Sequence, residues 1–231
     1  MMRISAKPVN FKFNDYLNNG YEFLKNNFGN VLLAVIFCFI MAIIPFCAAL
    51  GIGNLYKYFR KLRKDKSAAP GEIFNFDDFS PYFILQLIII GGVLVLYIPL
   101  FIIIFATQQN GEGPSGFGAA IMFPYIAIMY IVIFAVVLKG FYIPALISLG
   151  GVKDIKTAWK MSTAMTKGNL LSIFLYVIVV GFLSQLGILA CGIGLLLTLP
   201  YSYTANYFAF EDAMQQIEHD EIQEIGLKNE Y

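Results

Sequence analysis

Apolar and polar residues alternate in long blocks along this chain, and the block lengths suit a lipid bilayer. Residues 30–56, 82–106, 118–138 and 169–210 are almost wholly apolar. In 82–106, 18 of 25 residues are Leu, Ile, Val or Phe, which supplies roughly −5 to −11 kcal/mol of apparent insertion energy. Residues 118–138 would reach about 30 Å as a helix, the thickness of the hydrocarbon core. The stretch 169–210 has 42 residues and no charge. As one straight helix it would reach about 63 Å, so it must turn. Cys191-Gly192-Ile193-Gly194 is the natural break, which predicts spans at 170–190 and 193–210, the second kinked at Pro200.

Polar segments join these blocks. TQQNGEGPSGFG, from residue 107, reads as a turn. Residues 57–81 and 139–169 are linkers, and the apolar character running through Pro144 predicts a helix that bends there along the interface. Residues 211–231 form an acidic tail, either a short helix or a disordered segment. Ahead of the first block, Phe13, Leu17, Tyr21, Leu24 and Phe28 recur at helical spacing. They predict an amphipathic surface helix within 1–29, with Asn14 as its N-cap. Residues 1–30 lack an apolar h-region, so no cleavable signal peptide is expected. The fold class is therefore all-α: a polytopic transmembrane helix bundle of four full spans. A kinked or re-entrant N-terminal hydrophobic segment and amphipathic interfacial helices complete it.

Charge orients the bundle. The 16 Lys and Arg residues lie in the N-terminal region, at 57–66, at 139–167 and in the tail, and none lies in 107–117 or 191–194. Cationic loops stay in the cytoplasm, which places both basic blocks and the C-terminus inside. Segment 30–56 either crosses once or turns back near Pro45. Turning back keeps every cation inside, and its arms of about 14 residues, near 21 Å, are too short to span.

Overall charge is sparse, at 13% against about 25% in soluble domains, and the net charge is only +1. Nucleic acid is not an expected partner. The three cysteines, Cys38, Cys47 and Cys191, lie in apolar segments and read as small hydrophobes. A single histidine, His219, excludes multi-histidine metal sites, and no Walker A, GxSxG or HExxH motif occurs. No catalytic residue, metal or cofactor is expected. No charge lies inside the spans from 82 to 210, which argues against proton relays and ion-coupled transport. The polar residues within them (Gln86, Ser184, Gln185, Thr198, Ser202, Thr204 and Asn206) read as interhelical hydrogen-bonding groups.

The candidate surface is basic. As a helix, 152–167 sets Lys153, Lys156, Lys160 and Lys167 within about 60° of one another, opposite Ile155, Ala158, Trp159, Ser162 and Met165. Such a helix lies flat on an anionic leaflet. Lys57, Arg60, Lys61, Arg63 and Lys64 form a second cluster, which could hold lipid, the acidic tail, or Asp77 and Asp78. These residues point to a lipid bilayer with anionic lipid, and to a protein, as partners. A carrier or channel for a neutral or amphipathic solute is the alternative, allowed by Pro99, Pro124, Pro144 and Pro200. A lipid enzyme built on Glu72, Asp77 and Asp78 is weaker, since these acids suit caps and loops.

Three stretches together resemble a family of uncharacterised bacterial polytopic inner-membrane proteins. They are Gly71-Glu72-Ile73-Phe74-Asn75-Phe76-Asp77-Asp78-Phe79; Asp154-Ile155-Lys156-Thr157-Ala158-Trp159-Lys160-Met161-Ser162 continued by Met165-Thr166-Lys167-Gly168-Asn169; and Cys191-Gly192-Ile193-Gly194 followed by Pro200. The resemblance implies a helical protein of the bacterial cytoplasmic membrane with a cytoplasmic linker helix. It brings no activity, cofactor or catalytic residue.

Overall fold

Hydrophobic block length sets the helices, and polar contacts set where they turn. The computed structural model describes residues 7–109, 117–189, 192 and 194–228. Among these the regular structure is entirely helical: α1 Phe13–Asn26, α2 Phe28–Ile43, α3 Ala48–Lys64, a 3-10 turn Pro70–Phe74, α4 Phe79–Gln109, α5 Phe117–Lys139, α6 Ile143–Ser148, α7 Ile155–Met165, α8 Leu170–Leu189 and α9 Leu195–Lys228.

Segment 30–56 turns back. Helix α2 stops at Ile43, the chain reverses through Pro45, and α3 returns beside it. Proline fixes φ and lacks an N–H, so it favours the turn over a continued helix. Phe46 takes a left-handed φ of 61° there, a conformation costing an L residue about 1–2 kcal/mol. The returning arm is longer than the sequence predicted, because α3 runs on through the basic block to Lys64.

Helix α3 lies antiparallel to α4 in a four-residue register. With its amide oriented so that both ends are satisfied, Gln86 donates to Phe46 O and accepts from the Ala49 N–H, both at 3.3 Å. One turn along, Gly53 packs under the Tyr82 hydroxyl. One turn further, Lys57 pairs with Asp78. Gln86 is thus the polar group in α4 that satisfies backbone left open by the Pro45 turn, as hydrocarbon requires.

Helix α1 meets α2 at a bend of 101°. Asn27 sits in the bend, where its side-chain amide donates to Phe23 O at 2.9 Å. The packed face of α1 takes in part of the predicted stripe, Phe13, Leu17 and Leu24, and leaves Tyr21 and Phe28 exposed. Tyr16, Gly20, Phe23 and Leu24 are buried, while Tyr21 is 55% exposed. The partner of α1 is α9: a β-carbon on Gly20 would lie 2.7 Å from Ala205 Cα, and Thr204 Oγ1 donates to Gly20 O at 2.9 Å. The N-cap is Lys12, with no side-chain cap bond, so Asn14 falls inside the helix.

Among the described residues three helices are long and apolar enough to cross a membrane, Phe79–Ala106, Ala120–Ser148 and Leu170–Leu189, and the bent α1–α2 pair passes the same measure taken together. Of the fourth predicted span, 193–210, residue 193 lies outside the described residues; residues 195–210 belong to α9, which does not meet that measure by itself. After Leu195, Leu196 and Leu197 come Tyr201, Ser202, Tyr203, Thr204 and Asn206. Helix α9 nevertheless follows the expected path. It starts against the far end of α8, where Gly187 faces Gly194 and Leu195, and its Glu211 reaches the end occupied by Arg60. Thr198 Oγ1 donates to Ser184 O at 2.8 Å, tying the two together. The helix also continues unbroken through the tail as far as Lys228, with Ala213, Met214 and Ile217 buried in the core.

Helix α5 ends at Lys139, ahead of Pro144, which instead opens α6. The core gathers at the end of the bundle that holds Lys57 and Arg60, here the basic end. Val31, Leu55, Phe59, Tyr142, Ile147, Met165, Phe210 and Met214 share it. Beyond it α4, α5 and α8 present apolar side chains outward, as lipid-facing helices do.

Candidate membrane-surface site

Helix α7 is fastened to the ends of all three apolar spans. Asp154 caps its N-terminus, accepting from the Thr157 N–H at 2.8 Å and hydroxyl at 2.6 Å. These bonds hold the Asp154 carboxyl below its ordinary pKa. Just before the cap, Lys153 pairs with Asp78 at the start of α4. Ser162, wholly buried, donates to Lys139 O at 2.6 Å and accepts from the Tyr142 N–H at 3.1 Å, bridging the break after α5. Trp159 lies over Gly140 at the same break. At its other end, α7 leads through Gly168, at φ 83°, into α8. Three anchors therefore place α7 at the level where α4, α5 and α8 begin or end.

The ten predicted surface residues divide into two groups. Lys57 and Lys153 both engage the fully buried Asp78. Burial alone would raise the Asp78 pKa, but hydrogen bonds and charge from Lys153 and Lys57 outweigh it and hold the carboxyl below its usual value. Arg60 donates Nε and Nη2 to the buried Glu211, both at 2.7 Å, and Nη1 to Leu149 O at 2.9 Å. Lys61 pairs with Glu72 at 2.6 Å. Arg63 stacks on Phe208 at 5.1 Å from the ring centre. These five cations bind their own protein.

Lys64, Lys156, Lys160 and Lys167 are exposed and carry no ion pair within 4 Å among the described residues. Three of these four belong to the α7 region. Trp159 is half-buried at its edge. Met161 joins Ala158, Ser162 and Met165 on the buried face, so the predicted division between lysines and packing residues is the observed one with one residue added.

Several groups of the site carried no periodic signal. Asp78 serves as a double acceptor rather than a loop acid, and Glu211 receives Arg60. Asp212 accepts from Lys12 at 2.8 Å, from the Tyr16 hydroxyl at 2.7 Å and from Gln216 at 2.6 Å. That bond and charge raise the Lys12 pKa. A cleft of about 160 Å³ opens beside these groups, bordered by Lys12, Tyr16, Arg63, Phe208 and Glu211. Within it Lys12 pairs with Asp212, and Glu211 pairs with Arg60 alongside. Among the described residues, no group of three or more His, Cys, Asp or Glu side chains is placed to hold a metal ion.

Comparison with protein-family models, with curated proteins and with solved structures gives no match. The geometry is therefore the basis for function.

Proposed function

We propose that this chain is a non-catalytic protein of a bacterial cytoplasmic membrane that works through contacts with anionic lipid and with a protein partner. The basic end faces the cytoplasm in this reading, and the C-terminus lies with it. One observation carries the proposal: α7 is anchored to the ends of three apolar spans, and Lys156 and Lys160 stand exposed on it, with Lys167 exposed just past its end. Cations at that height meet lipid phosphates. Each is worth about 1 kcal/mol near an anionic surface, so three contribute about 3 kcal/mol. The internally paired cations hold the shelf in place, and the exposed ones are left to bind.

The test is lipid retention by the purified full chain. Lys156→Gln, Lys160→Gln and Lys167→Gln together should abolish preferential retention of phosphatidylglycerol over phosphatidylcholine, with the melting temperature unchanged. Unchanged retention would refute the lipid reading. A cysteine introduced beside Lys156 that reacts with a membrane-impermeant reagent on intact cells would refute the orientation.

A further inference from the structure

The tip of the α2–α3 hairpin stops part-way along α4, and how far it reaches follows from the register between them. Asp78 marks the entry of α4, and Gln86, eight residues on, holds the hairpin turn. Eight residues of helix rise about 12 Å, against about 30 Å of hydrocarbon. The rings of Phe46 and Phe83, 5.1 Å apart, pack the turn against α4 about one helical turn nearer Asp78. The hairpin therefore stops short of the midplane or close to it.

Its outer surface is apolar. On α2, Val31, Ala34, Val35, Cys38 and Met41 turn inward and are buried. Leu33, Ile36, Phe39, Ile40 and Ile43 turn outward, and Ile43 at the tip is 81% exposed. Among the described residues, α2, α3, α4, α5, α8 and α9 lie together at the basic end. Only α4, α5, α8 and α9 continue to the far end. The cross-section is larger on one side.

We propose that the hairpin is a one-leaflet wedge whose partner is the acyl region of the basic-side leaflet, and that it concentrates the protein where that leaflet is convex. A shallow insertion adds area to one leaflet without matching it in the other, so curvature toward that side relieves the mismatch. The charge of the headgroups plays no part, which separates this inference from the lipid binding proposed for α7.

The experiment uses the full chain, oriented with its basic end outward in giant vesicles of phosphatidylcholine alone, from which narrow tubes are drawn. The protein should be enriched several-fold in the tube over the parent vesicle. Substituting the exposed tip, Phe39→Ser with Ile40→Ser and Ile43→Ser, should remove the enrichment while leaving detergent-phase melting intact. Depth gives an independent check. Trp159 is the only tryptophan, so Trp159→Phe with Ile43→Trp yields one reporter at the tip. Phosphatidylcholine brominated along its acyl chains should quench it strongly from the basic side. A reporter shielded from brominated chains, as a second copy covering α2 would shield it, overturns the proposal. So does equal protein density in tube and vesicle.

Discussion

Gly53 sets the distance between α3 and α4 through Tyr82: a β-carbon on Gly53 would stand 2.3 Å from the Tyr82 hydroxyl and 2.4 Å from Ser148 Oγ. The hydroxyl is held in place, since it shares a 2.7 Å hydrogen bond with Ser148. Gly53→Ala should therefore destabilise the chain by about 1–3 kcal/mol, as overpacking does. Tyr82→Phe removes the closest atom but leaves Cζ at 2.6 Å, so in the double variant it should recover part of the loss. Thermal unfolding in detergent reads the effect. A double variant that merely sums the two single losses would show that this contact does not limit the packing.

Asp78 joins three elements through Lys57 and Lys153. Its carboxylate is wholly buried, whereas the lysine side chains are 33% and 57% exposed. Removing one lysine leaves the other, and the loss should be modest. Removing both, as Lys57→Gln with Lys153→Gln, strands a buried charge and should cost about 3–5 kcal/mol. The pH dependence has a defined sign. The folded-state pKa of Asp78 is lowered, so its stabilisation is complete above the unfolded value of about 3.9 and is lost as pH falls through the folded one. Melting temperatures should respond to both substitutions at pH 7. The acid-side fall in stability should shrink in the double variant, and an unchanged acid limb would exclude Asp78 as its source.

Some of this architecture was legible along the chain because a one-dimensional signal is strong in membranes. A run of apolar residues has few alternatives to a span: α5 and α8 match their predicted limits to within one residue, and α4 extends three residues beyond each of its limits. Pro45 and the distribution of cations favoured a reversal, and the reversal is present. The stripe of α1 is divided between packed and exposed residues, because hydrophobicity alone cannot show which neighbour a helix meets. Tyr21 is apolar in pattern yet exposed, and Gly20 adds nothing to a stripe but permits the approach of Ala205. Asp78 and Glu211 were legible only as acids near cations. Whether such groups pair depends on the antiparallel register of α3 with α4 and on the path of α9, which periodicity does not encode. The continuation of α9 past residue 210 was hidden in the same way, since Glu211 and Asp212 look like the start of a solvated tail until Arg60 and Lys12 are found opposite them.

Gly20 gives a direct test of how α1 is held. Its missing side chain allows α1 and α9 to cross at backbone distance, and the Thr204 hydroxyl bonds its carbonyl. The clash expected for a side chain is with backbone, which yields less readily than a side-chain tip. Gly20→Val should therefore cost more than Gly20→Ala, both in the range of about 1–3 kcal/mol. Limited proteolysis should show new cleavage within residues 13–26 before the rest of the chain is attacked. Equal protease resistance in the valine variant would mean that α1 is held by other contacts.

Ser162 offers a sharper measurement, because it substitutes for backbone hydrogen bonds that the break between α5 and α6 leaves unmade. Its hydroxyl donates to Lys139 O and accepts from the Tyr142 N–H, and Ser162, like Tyr142, is wholly buried. Ser162→Ala keeps the volume nearly constant and strands both backbone groups, which should cost about 1–3 kcal/mol. The damage should be local. Hydrogen exchange at the Tyr142 amide should accelerate more than exchange within α8, and restoring a hydroxyl as Ser162→Thr should recover protection only if the added methyl finds room. Uniform acceleration across the bundle would indicate global destabilisation and would assign Ser162 to packing alone.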